Sequence, residues 1–377
     1  MVRVDFITNE ASHYRSALWN SLLDDDSLDV QFIFGEGCSG IRPIDLTEPC
    51  WSGKQFRFHK VRNIYIKKIL IWQHGVLSHI RKTDARVLVL LGDMYVVSIW
   101  FTVWLAKLRG ISVLFWGHGL NGREGGIKHW IRAHFLGLAD GVLVYGERGR
   151  RLLIQSGLMP DRIRVVYNSL DHARQLTLRK SVVQYDYYSM QDWFQDDSAP
   201  VLLFVGRLTA QKRLDSLINA VRCLRRQGLI YNLLIIGDGA ESDRLRTLAA
   251  DLKGQVYFYG ACYEEEELGR LIANADLCVS PGFVGLTAMH ALGYGTPVCT
   301  HDNPAWQAPE AEAIVDGTTG VRFEYERMDI AQAVCRWFAS APDRDEVRRL
   351  CYQEIDDKWN TENQAKTISK AVRDVAR

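Results

Sequence analysis

Apolar residues fall along the chain in two alternating series. In the first, short runs at 2–8, 30–34, 87–91, 113–116, 142–145 and 165–167 read as strands, with a helix over 14–23 between the first two. In the second, strands over 201–205, 233–236, 256–259, 277–280 and 298–300 alternate with helices over 214–227, 241–253, 264–275 and from 286 onward. Positions 214, 217, 218, 221 and 224 keep apolar residues on one helical face. Strands that are apolar on both sides and separated by helices imply parallel sheets covered on both faces. The expected fold is α/β, with two doubly wound Rossmann-like domains facing each other across a cleft. Ligands of such sheets bind outside the carboxyl ends of the strands, at the switch point of strand order, so the expected site gathers loops far apart in sequence.

The rhythm breaks over 172–200, a polar stretch containing QYDYYSMQDWFQDDSAP, which reads as the connection between domains. The predicted division is an N-terminal Rossmann-like domain at 1–175, a linker at 176–199 and a second Rossmann-like domain at 200–360. A C-terminal helix over 361–377 is expected to pack back on the first domain. The last helices, over 330–339 and 363–376, are amphipathic, and nothing repeats at a period typical of solenoids.

Composition narrows the class. A chain of 377 residues, 47% hydrophobic and 24% charged, can bury two cores. Its formal charge of +1 conceals 25 Lys and Arg against 16 Asp and Glu in residues 1–180, so the first half is basic and the second acidic. That asymmetry suggests an anionic surface or substrate near the N-terminal half. The eight cysteines, at 38, 50, 223, 262, 278, 299, 335 and 351, form no C-x-x-C pair, which suits free thiols in a reducing compartment. The first residues enter a strand without a secretory pattern, so a cytoplasmic location is expected. The membrane-like run at 94–106 falls short of the roughly 20 residues needed to span a bilayer.

Candidate chemistry lies on the loops after the strands of the second series. The stretch SPGFVGLTAMHALGYGTPV at 280–298 places a glycine loop between a strand and a helix, the arrangement that presents unpaired N–H groups to an anion. The helix-end field contributes only about 0.3–1 kcal/mol, so cationic side chains must assist. Arg207 and Lys212 in GRLTAQK can converge there, each charge-assisted contact contributing roughly 1.5–3 kcal/mol. Gly206, Gly237, Gly239 and Gly260 permit close backbone approach at the same sheet edge, suited to a base or ribose.

The segments FVGRLTAQKRLDSLINAV, LLIIGDGAESDRL, VYFYGACYEEEELGRLIANADLCVSP, GL…GTPV and DGTTGVRF, in this order, resemble the donor domain of family 4 glycosyltransferases of GT-B architecture. YNSLD at 167–171 and HYRSALWNSL at 13–22 are similar to that family's first domain. The resemblance implies transfer of a sugar from a nucleotide diphosphate sugar, UDP- or GDP-linked, to a glycan or lipid-linked acceptor, with retention and without a required metal or other cofactor. It also implies a role in bacterial surface polysaccharide assembly (capsule, O-antigen or exopolysaccharide). By that similarity Arg207 and Lys212 hold the diphosphate, and Gly285, Leu286 and Thr287 donate backbone N–H groups. His118 stands close to the reacting sugar, and the base is met by backbone near 259–262. No nucleic-acid partner is expected.

The chain departs from the family at two positions. Where the pattern has two glutamates, Gly282 and His290 stand here. His290 can still accept a hydrogen bond from ribose, whereas glycine offers no side chain. Asp302, Glu310 and Glu312 are therefore candidates for the sugar contact. On the acceptor side, His13, Arg15 and Arg123 are candidates. Residues 51–83 carry eight Lys and Arg and no acid, with Ile66, Ile69, Leu70, Leu77 and Ile80 as an apolar stripe, a pattern that suits either an anionic membrane surface or packing on the sheet. Two other readings stay open: a nucleotide-binding subunit without catalysis, and a nucleotide-sugar hydrolase or epimerase.

Overall fold

Valine, isoleucine, leucine and phenylalanine at consecutive positions make strands that must be covered on both faces, and the chain meets that demand twice. The structure is a computed structural model describing residues 1–36, 42–67, 69–120, 122–184, 190, 193–340 and 343–376. It divides into one unit of Met1–Asp171 with Asn360–Arg377 and a second of His172–Trp359. Cys38, Lys68 and positions 185–189 and 191–192 of the expected connection lie outside the described residues.

The first unit holds an eight-stranded sheet: β1 Val2–Thr8, β2 Leu28–Glu36, β3 Phe58–Ile66, β4 Leu70–His74, β5 Val87–Leu91, β6 Ser112–Gly117, β7 Gly141–Val144 and β8 Ile163–Val165. Their order is β4-β3-β2-β1-β5-β6-β7-β8, parallel except for the β3/β4 hairpin. Strand order reverses between β1 and β5, which opens a crevice at their carboxyl ends. One face of the sheet buries Trp19 among Phe6, Phe32 and Trp116, with ring centroids 4.8–6.2 Å away. The final helix, Thr361–Val375, covers the same face through Ile368 and Val372. Gln364 ties it down by donating to Tyr167 O at 2.8 Å and accepting from Ser169 Oγ at 2.7 Å.

The second unit holds β9 Val201–Val205, β10 Asn232–Ile236, β11 Val256–Gly260, β12 Leu277–Ser280, β13 Val298–His301 and β14 Gly320–Phe323. All are parallel, in the order β11-β10-β9-β12-β13-β14, with the reversal between β9 and β12. Two α/β units with parallel-dominated sheets match the expected fold class.

Three stretches differ from the sequence reading. The polar segment after 171 begins with a helix, His172–Gln184, that belongs to the second unit. Its Arg179 is buried, donating to Gly293 O at 2.6 Å and to both oxygens of Asp356, on a helix Arg344–Asp357 that apolar spacing alone did not mark. The charged pattern hides structural partners that only the fold brings together. The third stretch is 51–83, whose apolar stripe is divided between the β3/β4 hairpin and a short helix, Val76–Lys82. Ile80 is wholly buried in the sheet core, while Ile66 and Ile69 remain exposed. Strands hold Ile66 and Leu70 on one surface by cross-strand pairing rather than by helical spacing. Among the described residues no helix is long and apolar enough to cross a membrane.

Replacing Gln364 with Leu leaves the Tyr167 carbonyl and the Ser169 hydroxyl without their buried partner. The expected cost is about 1–3 kcal/mol. It should appear as lost hydrogen-exchange protection over 361–375, measured against the protection of β5.

Candidate functional site

In the second unit the loops after β9, β10 and β11 are laid against one another by backbone bonds. Gly206 N donates to Ile236 O at 3.0 Å, Leu208 N to Asp238 O at 2.9 Å and Gly237 N to Gly260 O at 2.7 Å. At Gly237, with φ +142°, a Cβ would lie 1.9 Å from Gly206 O, so the loops can pass only because this residue is glycine. Gly239 lines the same edge, its N–H donating to Asp238 Oδ1 at 2.7 Å. The carboxylate of Asp238 is thereby engaged in its own turn.

The loop after β12 is fixed from the other side. Lys212 Nζ donates to Phe283 O at 2.6 Å and to Val284 O at 3.3 Å. Val284 N donates to Gln307 Oε1 at 3.0 Å, and Thr287 Oγ1 donates to Val205 O at 2.9 Å. The helix that follows, Thr287–Gly293, has Leu286 at its N-cap and no side-chain cap. It is short, so its dipole contributes little and an anion there depends on the neighbouring cations.

Arg207 is exposed on the loop after β9. Burial pulls the Lys212 ammonium down to about 8; the like charge of Arg207 acts in the same direction, against the opposing influence of Cys278 and Glu310. Arg207 and Glu310 therefore each lie within electrostatic reach of Lys212. Glu310 is a buried carboxylate in the short turn Pro309–Ala313, and Glu312 sits half-buried in the same turn. Asp302 is exposed and accepts Tyr325 N at 3.0 Å, closing the junction after β13. Of the three carboxylates expected near the sugar, Glu310 is the one associated with Lys212.

The two departures from the glutamate pattern have physical explanations. A Cβ on Gly282 would lie 2.0 Å from Gln211 O, so the backbone of the Lys212 loop occupies the space a side chain would need. His290 Nε2 lies 3.6 Å from Glu265 Oε2, and Tyr294 Oη donates to Glu265 Oε1 at 2.8 Å. Burial would raise the Glu265 carboxyl, but its bonds to His290 and Tyr294 outweigh that and hold it at about 2. A carboxylate thus stands beside position 290 after all, supplied by the neighbouring helix Glu265–Ala273. Sequence reasoning missed Glu265 because it is one of four consecutive glutamates, and spacing does not distinguish the one that faces His290.

In the first unit, His118 follows β6 and is exposed, its ring centroid 5.0 Å from that of Tyr145 in edge-to-face contact. Arg15 donates to Tyr145 Oη and lies 4.5 Å over the Trp116 ring. Burial opposes its charge, but the phenols of Tyr145 and Tyr14 raise its pKa overall. The fold thus joins His118 and Arg15 through Tyr145, a residue that sequence reading placed only at a strand end. His13 is exposed at the start of the same segment, its N–H bonded to Arg42 O at 3.0 Å. Arg123 is exposed on the glycine loop before the helix Gly126–Gly137. That loop is anchored by Glu124, which accepts from Arg132 at 2.7 and 2.9 Å and pairs with Lys128 at 2.9 Å.

Comparison with known proteins bears on both units. Residues 199–340 match a family model described as "Glycosyl transferases group 1". A glycogen synthase of Pectobacterium atrosepticum is 38% identical over 104 residues, 27% of this chain and 22% of that protein. A GDP-mannose-dependent alpha-(1-6)-phosphatidylinositol dimannoside mannosyltransferase of Mycobacterium tuberculosis is 30% identical over 154 residues, 40% of this chain and 38% of that protein. The chain therefore spans well under half of the length of these two curated relatives. A solved structure of a lipopolysaccharide outer core galactosyltransferase aligns over 99% of both chains with a TM-score of 0.70 at 17% identity. The fold is that of the GT-B glycosyltransferases.

Glu265 provides a pH test of the paired arrangement. Its carboxyl is held at about 2 against an ordinary value of 4.5, so its contribution to stability is complete above pH 4.5 and is lost as pH falls toward 2. Glu265→Gln should lower stability near neutral pH by about 1–3 kcal/mol and flatten the decline between pH 4.5 and 2. Denaturant unfolding at a series of pH values checks both effects.

Proposed function

We propose that this protein is a glycosyltransferase that moves a sugar from a UDP- or GDP-sugar to a glycan or lipid-linked acceptor. The Lys212 ammonium bonded to the loop after β12, at the β9/β12 switch point and within electrostatic reach of Arg207, supports this reading. In the proposed reaction the bond between the anomeric carbon and the terminal phosphate oxygen breaks, and the nucleoside diphosphate leaves with the electron pair. The acceptor hydroxyl oxygen bonds to the same carbon, with retention, and releases its proton. Negative charge grows on the diphosphate, and in this reading the two cations and the N–H groups of Gly285, Leu286 and Thr287 stabilise it. No metal is required in this scheme. Glu265, aligned with His290, takes the place of a carboxylate at position 290 as an acceptor for ribose hydroxyls. Glu310 serves as the carboxylate nearest the sugar, while His118, Arg15, His13 and Arg123 serve the reacting sugar and the acceptor. The proposed setting is the cytoplasmic face of a bacterial membrane, in surface polysaccharide assembly.

Gly282 motivates one rival reading, because no carboxylate can stand there without moving the Lys212 loop. A subunit that binds nucleotide but does not transfer would release no nucleoside diphosphate with any acceptor. A hydrolase would release it without one.

Arg207→Ala should lower kcat/KM for the nucleotide sugar about 10- to 150-fold, equivalent to roughly 1.5–3 kcal/mol, with unfolding unchanged because the side chain is exposed. Nucleoside diphosphate affinity should fall as pH rises through about 8, where the Lys212 ammonium loses its proton, and Lys212→Arg should remove that fall. Acceptor-dependent nucleotide release and titration calorimetry supply the two readings. Unaltered kcat/KM in Arg207→Ala would sink the phosphate assignment.

A further inference from the structure

The first unit carries an apolar face that its own fold does not cover. On the helix Val97–Leu108, Phe101, Trp104 and Leu108 recur at helical spacing and are 52%, 65% and 66% exposed, while Ile99, Val103 and Ala106 on the opposite side are buried in the sheet core. Three such side chains in water are unfavourable unless something covers them. The face continues onto the β3/β4 hairpin. Trp72 meets Phe101 with ring centroids 5.7 Å apart and pairs across the hairpin with the exposed Ile64.

Charge decides what the face suits. Alternation puts Arg62, Ile64 and Ile66 on the same side of β3, so a cation continues the apolar row. Lys67 follows at the turn, and Lys107 lies beside Leu108 on the helix, both exposed. No Asp or Glu occurs in 51–83 or in 97–108. A protein partner or a second copy would have to bury these cations against its own acids. An anionic lipid surface accepts apolar and aromatic groups and basic side chains at one depth.

We infer that Phe101, Trp104 and Leu108, together with Ile64, Ile66 and Lys67 of the β3/β4 hairpin, are a docking face for a bilayer containing anionic lipids. The inference gives the membrane-associated part of the proposed function a definite surface. It rests on exposure and charge rather than on the nucleotide site.

The test is sedimentation of the full chain with phosphatidylcholine vesicles, with and without phosphatidylglycerol. Binding should require the anionic lipid, weaken with salt and blue-shift tryptophan emission. Phe101→Glu with Trp104→Glu should reduce binding tenfold or more, and Arg62→Gln with Lys67→Gln should reduce its salt dependence. Nucleotide affinity and thermal unfolding of the variants, unchanged, show that the fold and the other site persist. No binding to anionic vesicles by the parent chain, or equal binding by the glutamate variants, would overturn the inference. Self-association by ultracentrifugation that only the glutamate variants abolish, without vesicle binding, would instead assign the face to a second copy.

Discussion

Lys212 donates its ammonium hydrogens to the carbonyls of Phe283 and Val284, while the Gln211 carbonyl fills the space where residue 282 would carry a side chain. These contacts fasten the loop after β9 to the loop after β12, the two strands between which the sheet changes direction. A half-buried ammonium bonded to two carbonyls places a positive charge at the carboxyl ends of β9 and β12. The arrangement also determines what else the site can contain. Residue 282 is restricted to glycine and can supply no carboxylate, and the buried Glu310 is the acid that influences Lys212.

The doubly wound architecture was legible because its strands are apolar on both faces and its amphipathic helices keep one apolar stripe. Those are properties of neighbouring residues. Legibility failed where a residue's role depends on a distant partner. Arg179 looks like a charge in a polar linker until Asp356 and the Gly293 carbonyl are placed around it. Glu265 looks like any member of an acidic run until the fold brings His290 and Tyr294 to it. The β3/β4 hairpin was hidden for a different reason: its cations and isoleucines fit helical and strand spacing about equally well over so short a stretch.

In the first unit, the same distinction separates Arg15 from the other basic residues. Its guanidinium is bonded to Tyr145 and lies over the Trp116 ring, so it is not equivalent to the exposed charges of the basic excess. Arg62, Lys67 and Lys107 lie instead on exposed segments beside uncovered isoleucine, tryptophan and leucine side chains. Arg15 is therefore folded into an aromatic cluster around His118, whereas Arg62, Lys67 and Lys107 border the surface inferred above.

The central claim is that the β9/β12 edge of the second unit holds a nucleoside diphosphate. A thermal-shift screen of UDP, GDP, ADP and CDP with the intact chain tests it most directly. The account expects one of them to stabilise the protein by about 2.7 kcal/mol at a hundred times its Kd, a rise of several degrees that the matching nucleoside monophosphate does not reproduce. No shift with any of the four at millimolar concentration, or equal shifts with diphosphate and monophosphate, would contradict it.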